Sequence, residues 1–302
     1  MAGKLKALAA LSLTVLLFSV LVILARFYSS KAPSMFLLFL RMLFALLAFL
    51  PLLVKLRIWQ KKRFRQLIAV SLLSSLNVIF FMYGIEFTTA SASQLIYATI
   101  PVMTIIYTSL ADKQKYSAKT VTGVIIGLLG IFYIIYRAAV EKGESISGGL
   151  YGNSLIMIAS LGWMFYILFS KKMSKYFSPV EIGGSSVAVS FVLSVILLVV
   201  QLSVTAKEII FDKNIFLATF YMGVFATFFN YLLLQYAIKK LSALTVNLTS
   251  YIQPALVAML AIVALGEKLT GHFVFGSLLV FLGVFLTATM EFYRRKKTDI
   301  LF

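Results

Sequence analysis

The chain is a succession of long apolar runs separated by short basic segments. Each run is continuous rather than alternating and is roughly 20 residues long, the length that a helix needs to cross about 30 Å of hydrocarbon. Barrel strands are about half as long and alternate in polarity, so the pattern predicts helices. The predicted spans are residues 7–27, 34–54, 67–87, 92–110, 120–137, 150–170, 180–202, 216–237, 243–264 and 272–292. We therefore predict an all-α, polytopic membrane protein with ten transmembrane helices.

The second half of the chain repeats the first. A shift of 153 residues aligns Asn77–Phe132 with Asn230–Phe285 without a gap, and thirteen of the 56 positions are identical. Chance hydrophobic similarity would not match the amide, proline and glycine pairs, which are Asn77/Asn230, Pro101/Pro254, Gly123/Gly276 and Gly130/Gly283. We predict a tandem repeat of five helices, residues 1–140 and 150–293. Because five is odd, the two copies enter the membrane from opposite sides and form inverted repeats.

Composition and charge agree with this prediction. Hydrophobic residues make up 61% of the chain and charged residues 13%, a balance outside the range of soluble domains. The net charge of +18 could indicate a nucleic-acid partner, but twenty basic residues fall in the segments on one side of the predicted spans and six on the other. The positive-inside rule then predicts that both termini are cytoplasmic, in a plasma (inner) membrane, and that the charge reflects topology rather than nucleic-acid binding.

Polar and aromatic residues inside the apolar spans are the candidates for a solute site. Gln94, Tyr97 and Pro101 share one face of span four, and Asn247, Tyr251 and Pro254 share one face of span nine, so the two faces are expected to meet across the repeat. The predicted cavity residues are Asn77, Gln94, Tyr97, Trp163, Tyr166, Asn230, Asn247 and Tyr251, and the predicted hinges are Pro101 and Pro254. Whether the amides of Asn77 and Asn230 bind solute or tie helices together is open.

Ionisable residues are scarce in the spans. Arg41 lies inside span two, where an unpaired arginine costs about 2.5–3.5 kcal/mol on insertion scales, so a partner is expected. Glu86, near the end of span three, is the available acid, and we predict a structural Arg41–Glu86 ion pair. Glu181 follows Ser178 and Pro179 in what reads as a helix start, and neither acid forms a strong proton site.

The sequence lacks the residues that several kinds of chemistry require. The chain has no cysteine, no HExxH motif and no Walker lysine after a glycine-rich loop, so we predict no metal site, no cofactor and no ATP-driven step. A membrane-embedded enzyme would need clustered His, Asp or Cys, which the sequence does not contain. We therefore predict that the protein is not an enzyme.

The repeat also carries a family resemblance. The spacing from Ala90 to Pro101, which recurs from Ala243 to Pro254, and the segment LGEKLTGHFVFGSLLVFLGVFL at 265–286 resemble the drug/metabolite transporter (DMT) superfamily, specifically tandem EamA-domain proteins. In the first half, ADKQKYS at 111–117 replaces the usual Gly-Glu turn. The resemblance implies a ten-helix bundle around a central cavity, with alternating access as the halves move against each other.

The resemblance leaves the solute open. We expect a secondary transporter or facilitator of a small, amino-acid-like organic metabolite, with export as the direction, proton or solute-gradient coupling, and a monomer or weak dimer in the bilayer. An aromatic, uncharged cavity would instead favour a multidrug or organic-cation exporter. A non-transporting membrane scaffold is the alternative of another class.

Overall fold

All regular structure in the described residues is helical. The computed structural model describes residues 2–88, 90–142, 150–204, 212–265, 274–276, 278–279, 281–283 and 285–287. The helices are α1 (Ala2–Ser29), α2 (Ser34–Leu56), α3 (Phe64–Gly84), α4 (Ala90–Tyr97), α5 (Ile100–Ala111), α6 (Ala118–Lys142), α7 (Leu150–Met173), α8 (Pro179–Val204), α9 (Lys213–Phe220), α10 (Asn230–Lys240), α11 (Ala243–Asn247) and α12 (Thr249–Leu265). A 3₁₀ turn covers Ile58–Gln60, and a π-helix, Tyr221–Phe229, joins α9 to α10.

The helices follow the predicted spans. Spans one, two, three, five, six and seven are each a single helix, whereas span four is divided into α4 and α5 and span nine into α11 and α12. Span eight runs through α9, the π-helix and α10. Among the described residues, 6 helices are long and apolar enough to cross a membrane, and Val274–Thr287 in span ten is a shorter apolar helix. The prediction of an all-α, polytopic membrane protein is confirmed.

Two prolines mark helix starts, as the sequence predicts. Pro33 is the N-cap of α2, and Pro179 is the first residue of α8. Proline is tolerated there because the first N–H groups of a helix have no acceptor within it. At α8 the Ser178 N–H and hydroxyl donate to Glu181 Oε2 at 2.8 and 2.9 Å. This reciprocal capping box fixes the first turn of α8.

Helix packing follows the duplication. α3 packs along α7, and the equivalent contact after exchanging the halves is that of α1 with α10. α3 also packs on α8, and the equivalent contact is that of α2 with the π-helix. α2 and α8, which are equivalent to each other, pack together. Exchanging the halves therefore maps the main interfaces onto one another, as expected for inverted repeats.

A pair of buried hydroxyl contacts joins α3 to α8, and we call it the hydroxyl seam. Ser71 Oγ lies 2.9 Å from Ser185 Oγ, and Ser75 Oγ lies 2.8 Å from Ser190 Oγ. Each of the four serines is at most 1% exposed. Small hydroxyl residues allow close helix approach and hydrogen-bond across the interface. The seam therefore links one helix of each half.

Both predicted hinge prolines lie near helix breaks, but at different distances from them. α4 ends at Tyr97, and Pro101 lies in the first turn of α5, so it begins a new helix instead of kinking a continuous one. In the second half the break falls at Leu248, whereas Pro254 lies inside α12. The break in the first half therefore lies directly beside a predicted cavity residue, Tyr97.

Candidate functional site

A small cavity lies where α1, α4, α7, α10 and α12 meet. Its lining residues are Thr14, Val15, Phe18 and Tyr97 from the first half and Trp163, Asn230, Leu234, Thr249, Ser250 and Gln253 from the second. Only about 30 Å³ is accessible to the centre of a water molecule. Ligand pockets usually measure roughly 300–1,000 Å³, so the cavity in this conformation has room for water and not for an organic solute. Residues of both halves therefore line a narrow chamber.

Two amide side chains leave polar atoms unpaired in this chamber. Asn230 is 3% exposed and Gln253 is 9% exposed. Asn230 Oδ1 and Gln253 Nε2 have no hydrogen-bond partner within the described part of the chain. The Asn230 amide nitrogen makes only a long contact, 3.4 Å, to the Ala226 carbonyl oxygen of the preceding turn. A buried unpaired polar group costs about 1–3 kcal/mol, so an acceptor and a donor are both available to a ligand or to water.

Aromatic rings form another part of the wall. The Trp163 ring stacks on Phe18 with the ring centroids 6.5 Å apart. Tyr97 is 6% exposed, and its hydroxyl accepts a hydrogen bond from Asn77 Nδ2. The same Asn77 nitrogen donates to the Ala159 carbonyl oxygen of α7 at 2.9 Å. Asn77 therefore connects α3 to both α4 and α7 and holds Tyr97 in place from behind.

The structure brings three of the eight predicted cavity residues to the chamber and places five away from its wall. Those at the wall are Tyr97, Trp163 and Asn230, and those away from it are Asn77, Gln94, Tyr166, Asn247 and Tyr251. All five are nearly or fully buried. Tyr251 is the clearest case, because its hydroxyl donates to the Val124 carbonyl oxygen at 2.8 Å and so ties α12 to α6.

Two more of these residues serve contacts between helices. The Tyr166 hydroxyl accepts from Gln235 Nε2 at 2.7 Å, which joins α7 to α10. Asn247 Nδ2 donates to Thr104 Oγ1 at 2.7 Å, which joins α11 to α5. The polar faces of spans four and nine therefore do meet across the repeat, at a level away from the chamber wall.

In the described part of the chain, Arg41 and Glu86 each hydrogen-bond to a third residue instead of pairing with each other. Arg41 Nε donates to Thr227 Oγ1 at 2.8 Å, and Glu86 Oε2 accepts from the Ser34 hydroxyl at 2.8 Å. The reason is axial position: Ser34 begins α2, and Arg41 follows it by seven residues, or about 10 Å along the helix. Arg26, at the end of α1, lines the same surface pocket as Glu86. The structure therefore places Arg26, and not Arg41, near this acid.

Sequence reasoning missed part of the wall. Thr14 and Phe18 lie four residues apart on α1 and face the chamber together with Gln253 of α12. Gln253 is an amide in an apolar span directly before Pro254, so the signal that singled out Asn247 was present here too. Thr14 and Phe18 are ordinary residues of an apolar helix, and nothing local distinguishes them.

The chamber offers amides, hydroxyls and aromatic faces. Within the described ranges, His, Cys, Asp and Glu do not cluster in groups that could hold a metal ion. Amides and hydroxyls can orient a solute by hydrogen bonds, while rings contact its apolar part. The arrangement is therefore suited to holding a small, partly apolar molecule.

Known proteins resemble this chain along most of its length. The sequence profile of the EamA-like transporter family matches the chain twice, over residues 5–136 and 150–289. An uncharacterized transporter of Clostridium kluyveri is 31% identical over 213 residues, which cover 69% of this chain and 67% of that protein. The uncharacterized inner membrane transporter YedA of Escherichia coli is 23% identical over 201 residues, 64% and 62% of the two chains.

A solved crystal structure has the same fold. It superposes with a TM-score of 0.74 at 14% sequence identity and covers 96% of this chain and 99% of that one. The two profile matches span most of the sequence and confirm the resemblance found in it. The chain belongs to the EamA-like transporter family, in the drug/metabolite transporter superfamily, and is a multi-pass membrane protein.

Proposed function

We propose that the protein is a secondary transporter or facilitator that moves a small organic metabolite across the inner membrane by alternating access. The observation that carries this proposal is the narrow chamber, which both halves line and which leaves about 30 Å³ to the centre of a water molecule. A solute can enter such a chamber only when helices separate. Separation on one side at a time moves a solute without opening a continuous pore.

Polar contacts on both sides of the chamber support this mechanism. Beyond the end of α3, the Thr88 hydroxyl donates to Asn153 Oδ1 of α7 at 2.6 Å. At the opposite end of α7, Lys171 Nζ donates to the carbonyl oxygens of Ile238 and Lys239 at 2.7 and 2.9 Å. These contacts tie helices together at both ends of α7, and breaking them one end at a time is what alternating access would require.

The chamber lining supports an amino-acid-like solute. Asn230 Oδ1 offers an acceptor and Gln253 Nε2 a donor, while Tyr97 and Trp163 offer ring surface. A small amino acid carries donors and acceptors at one end and an apolar side chain at the other, which matches such a wall. The proposal also includes cytoplasmic termini, which the distribution of basic residues supports, export as the direction, which the family resemblance supports, and a monomer or weak dimer.

Counterflow in liposomes tests the proposal. The purified full chain is reconstituted into vesicles loaded with one unlabelled amino acid at a time, and uptake of the labelled compound is measured. We expect uptake of at least one amino acid above that of empty liposomes, and its loss in Asn230→Leu. Absence of counterflow for every amino acid would contradict the proposal.

A second candidate function is export of organic cations. Trp163, Tyr97 and Phe18 present aromatic faces, and such faces attract cations. Uptake of ethidium in the same vesicles, without uptake of any amino acid, would favour this candidate over the first.

A further inference from the structure

Arg41 is a buried cation inside the bundle, and its hydrogen-bond partner among the described residues is uncharged. It is 1% exposed. Its Nε donates to Thr227 Oγ1, and that hydroxyl in turn donates to the Met222 carbonyl oxygen at 2.7 Å, so Thr227 supplies a neutral oxygen lone pair. Of the residues that the structure describes, Thr227 alone accepts a hydrogen bond from Arg41. The donors on its terminal nitrogens are therefore left for another acceptor.

The two acids at the apolar spans, Glu86 and Glu181, bond at other places. Glu86 accepts from Ser34 at the start of α2, about 10 Å along the helix from Arg41. Glu181 pairs with Lys61 and caps α8. A guanidinium buried in a membrane protein is favoured by an anionic partner. These two carboxylates do not supply that partner, which leaves the role open to a ligand.

Arg41 is linked to the chamber wall through Thr227. Thr227 precedes Asn230, a lining residue, by three positions, so the two side chains lie about one turn apart on the same face. Tyr97 accepts its hydrogen bond from Asn77, which leaves the hydroxyl hydrogen of Tyr97 free to donate. Tyr97 also lines the chamber and ends α4 at the helix break. Arg41 does not line the chamber in this conformation, so a movement at the break is needed to bring it within reach of a solute.

We propose that the Arg41 guanidinium and the Tyr97 hydroxyl bind a carboxylate of the transported solute. The planar fork of arginine matches the two oxygens of a carboxylate. The rest of the solute would lie in the chamber, where Asn230 Oδ1 accepts a hydrogen bond from its polar hydrogens. This inference rests on the proposed function and narrows it to carboxylated solutes, and it disfavours organic cations.

A binding measurement on the intact protein tests the inference. The chain contains 2 tryptophans, and Trp59→Phe leaves Trp163 in the chamber as the single fluorescent reporter. We use two pairs of probes, and in each pair an amide replaces the carboxylate: benzoate with benzamide, and leucine with leucinamide. We expect the acid of at least one pair to bind about tenfold more tightly than its amide, since hydrogen bonds between charged groups are strong. Equal binding within both pairs would overturn the inference.

Variants assign the preference to Arg41. In Arg41→Gln the preference for the acid should fall to about onefold while the affinity for the amide stays the same. Arg26→Gln removes the same charge at the end of α1 and should keep the preference. Arg41→Lys keeps the charge without the planar fork, so its preference for the acid should lie between those of the wild type and Arg41→Gln; an unchanged preference in Arg41→Lys would refute the role of the fork even if Arg41→Gln does not fold. A carboxylate preference that survives in folded Arg41→Gln would refute the assignment.

The two proposals fail separately. Counterflow without any preference for a carboxylate would reject the role of Arg41 and leave transport standing. A carboxylate preference in binding, with no counterflow of any bound acid, would reject transport and leave the anion site standing.

Discussion

Asn77 and Asn230 occupy equivalent positions in the two repeats, but the structure predicts that replacing them affects stability and transport in opposite ways. Asn77 Nδ2 bonds to Tyr97 of α4 and to the Ala159 carbonyl oxygen of α7, so it joins three helices. Among the described residues, Asn230 makes one long hydrogen bond, to the Ala226 carbonyl oxygen of the preceding turn, and its Oδ1 has no partner. Replacing each by leucine, which has the same branching and the same number of heavy atoms, removes the amide with little change of shape.

The expected magnitudes follow from these bonds. Hydrogen bonds between helices in membrane proteins contribute about 0.6 kcal/mol on average and at most about 1.7 kcal/mol. Asn77→Leu loses two such bonds, and we expect its free energy of unfolding to fall by roughly 1–3 kcal/mol. Asn230→Leu loses no described bond to another helix and removes an unpaired buried acceptor, so its free energy of unfolding should not fall and should rise by up to about 3 kcal/mol.

Titration with dodecyl sulfate in mixed micelles, followed by tryptophan fluorescence, gives both free energies of unfolding. Counterflow of an amino acid that the wild type transports gives the second readout, and Asn230→Leu should lose at least about tenfold of it, in keeping with the loss of a binding contact worth 1.4 kcal/mol or more. Equal destabilisation by the two substitutions would refute the distinction between the amides. Full transport by Asn230→Leu would remove Asn230 from the site.

Three further predictions concern packing, capping and the limits of the site. Gly162→Ala should lower the free energy of unfolding by about 1–3 kcal/mol, because the new Cβ would lie 3.0 Å from a backbone oxygen of α3. Gly3→Ala places its Cβ where nothing lies within 4 Å, so its free energy of unfolding should rise by up to about 1 kcal/mol. The same titration measures both. Glu181→Ala removes a helix cap and should lower the free energy of unfolding by about 1–2 kcal/mol at any salt concentration. Lys61→Ala removes only the exposed partner of the ion pair, so it should lower the free energy of unfolding by less than about 1 kcal/mol, and this loss should vanish in high salt. Tyr251→Phe should cost about 0.6 kcal/mol of stability and leave the Michaelis constant for counterflow unchanged, since its hydroxyl bonds to α6 and not to the chamber; an altered Michaelis constant would return Tyr251 to the site.

The sequence predicts the helices well because the hydrocarbon imposes a local requirement. Each span must be long and apolar by itself, so the spans could be recognised without knowing their neighbours. The π-helix Tyr221–Phe229 was not predicted, since its residues look like any apolar run and its geometry arises from packing. The break before Pro101 was anticipated only as a kink, because the sequence does not say whether the chain bends or begins a new helix.

The site was harder to predict than the fold, since its residues are defined by what lies opposite them. Asn77 and Asn230 give the same signal in sequence, and their partners on other helices make one a connector and leave the other at the chamber. Arg41 was expected to pair with Glu86, and the depth difference between them along α2 and α3 cannot be read from either span alone. Burial of polar residues was predictable, whereas their partners were not.

The hydroxyl seam has a mechanical consequence. Ser71 with Ser185 and Ser75 with Ser190 fasten α3 to α8 one turn apart, and no water is present in hydrocarbon to replace these contacts if the helices slide. The boundary between rigid and mobile parts therefore does not coincide with the boundary between the sequence repeats. α3 and α8 form a stator drawn from both halves, and a helix that moves against this pair must break its own hydrogen bonds to it, as α4 would at the bond between Tyr97 and Asn77.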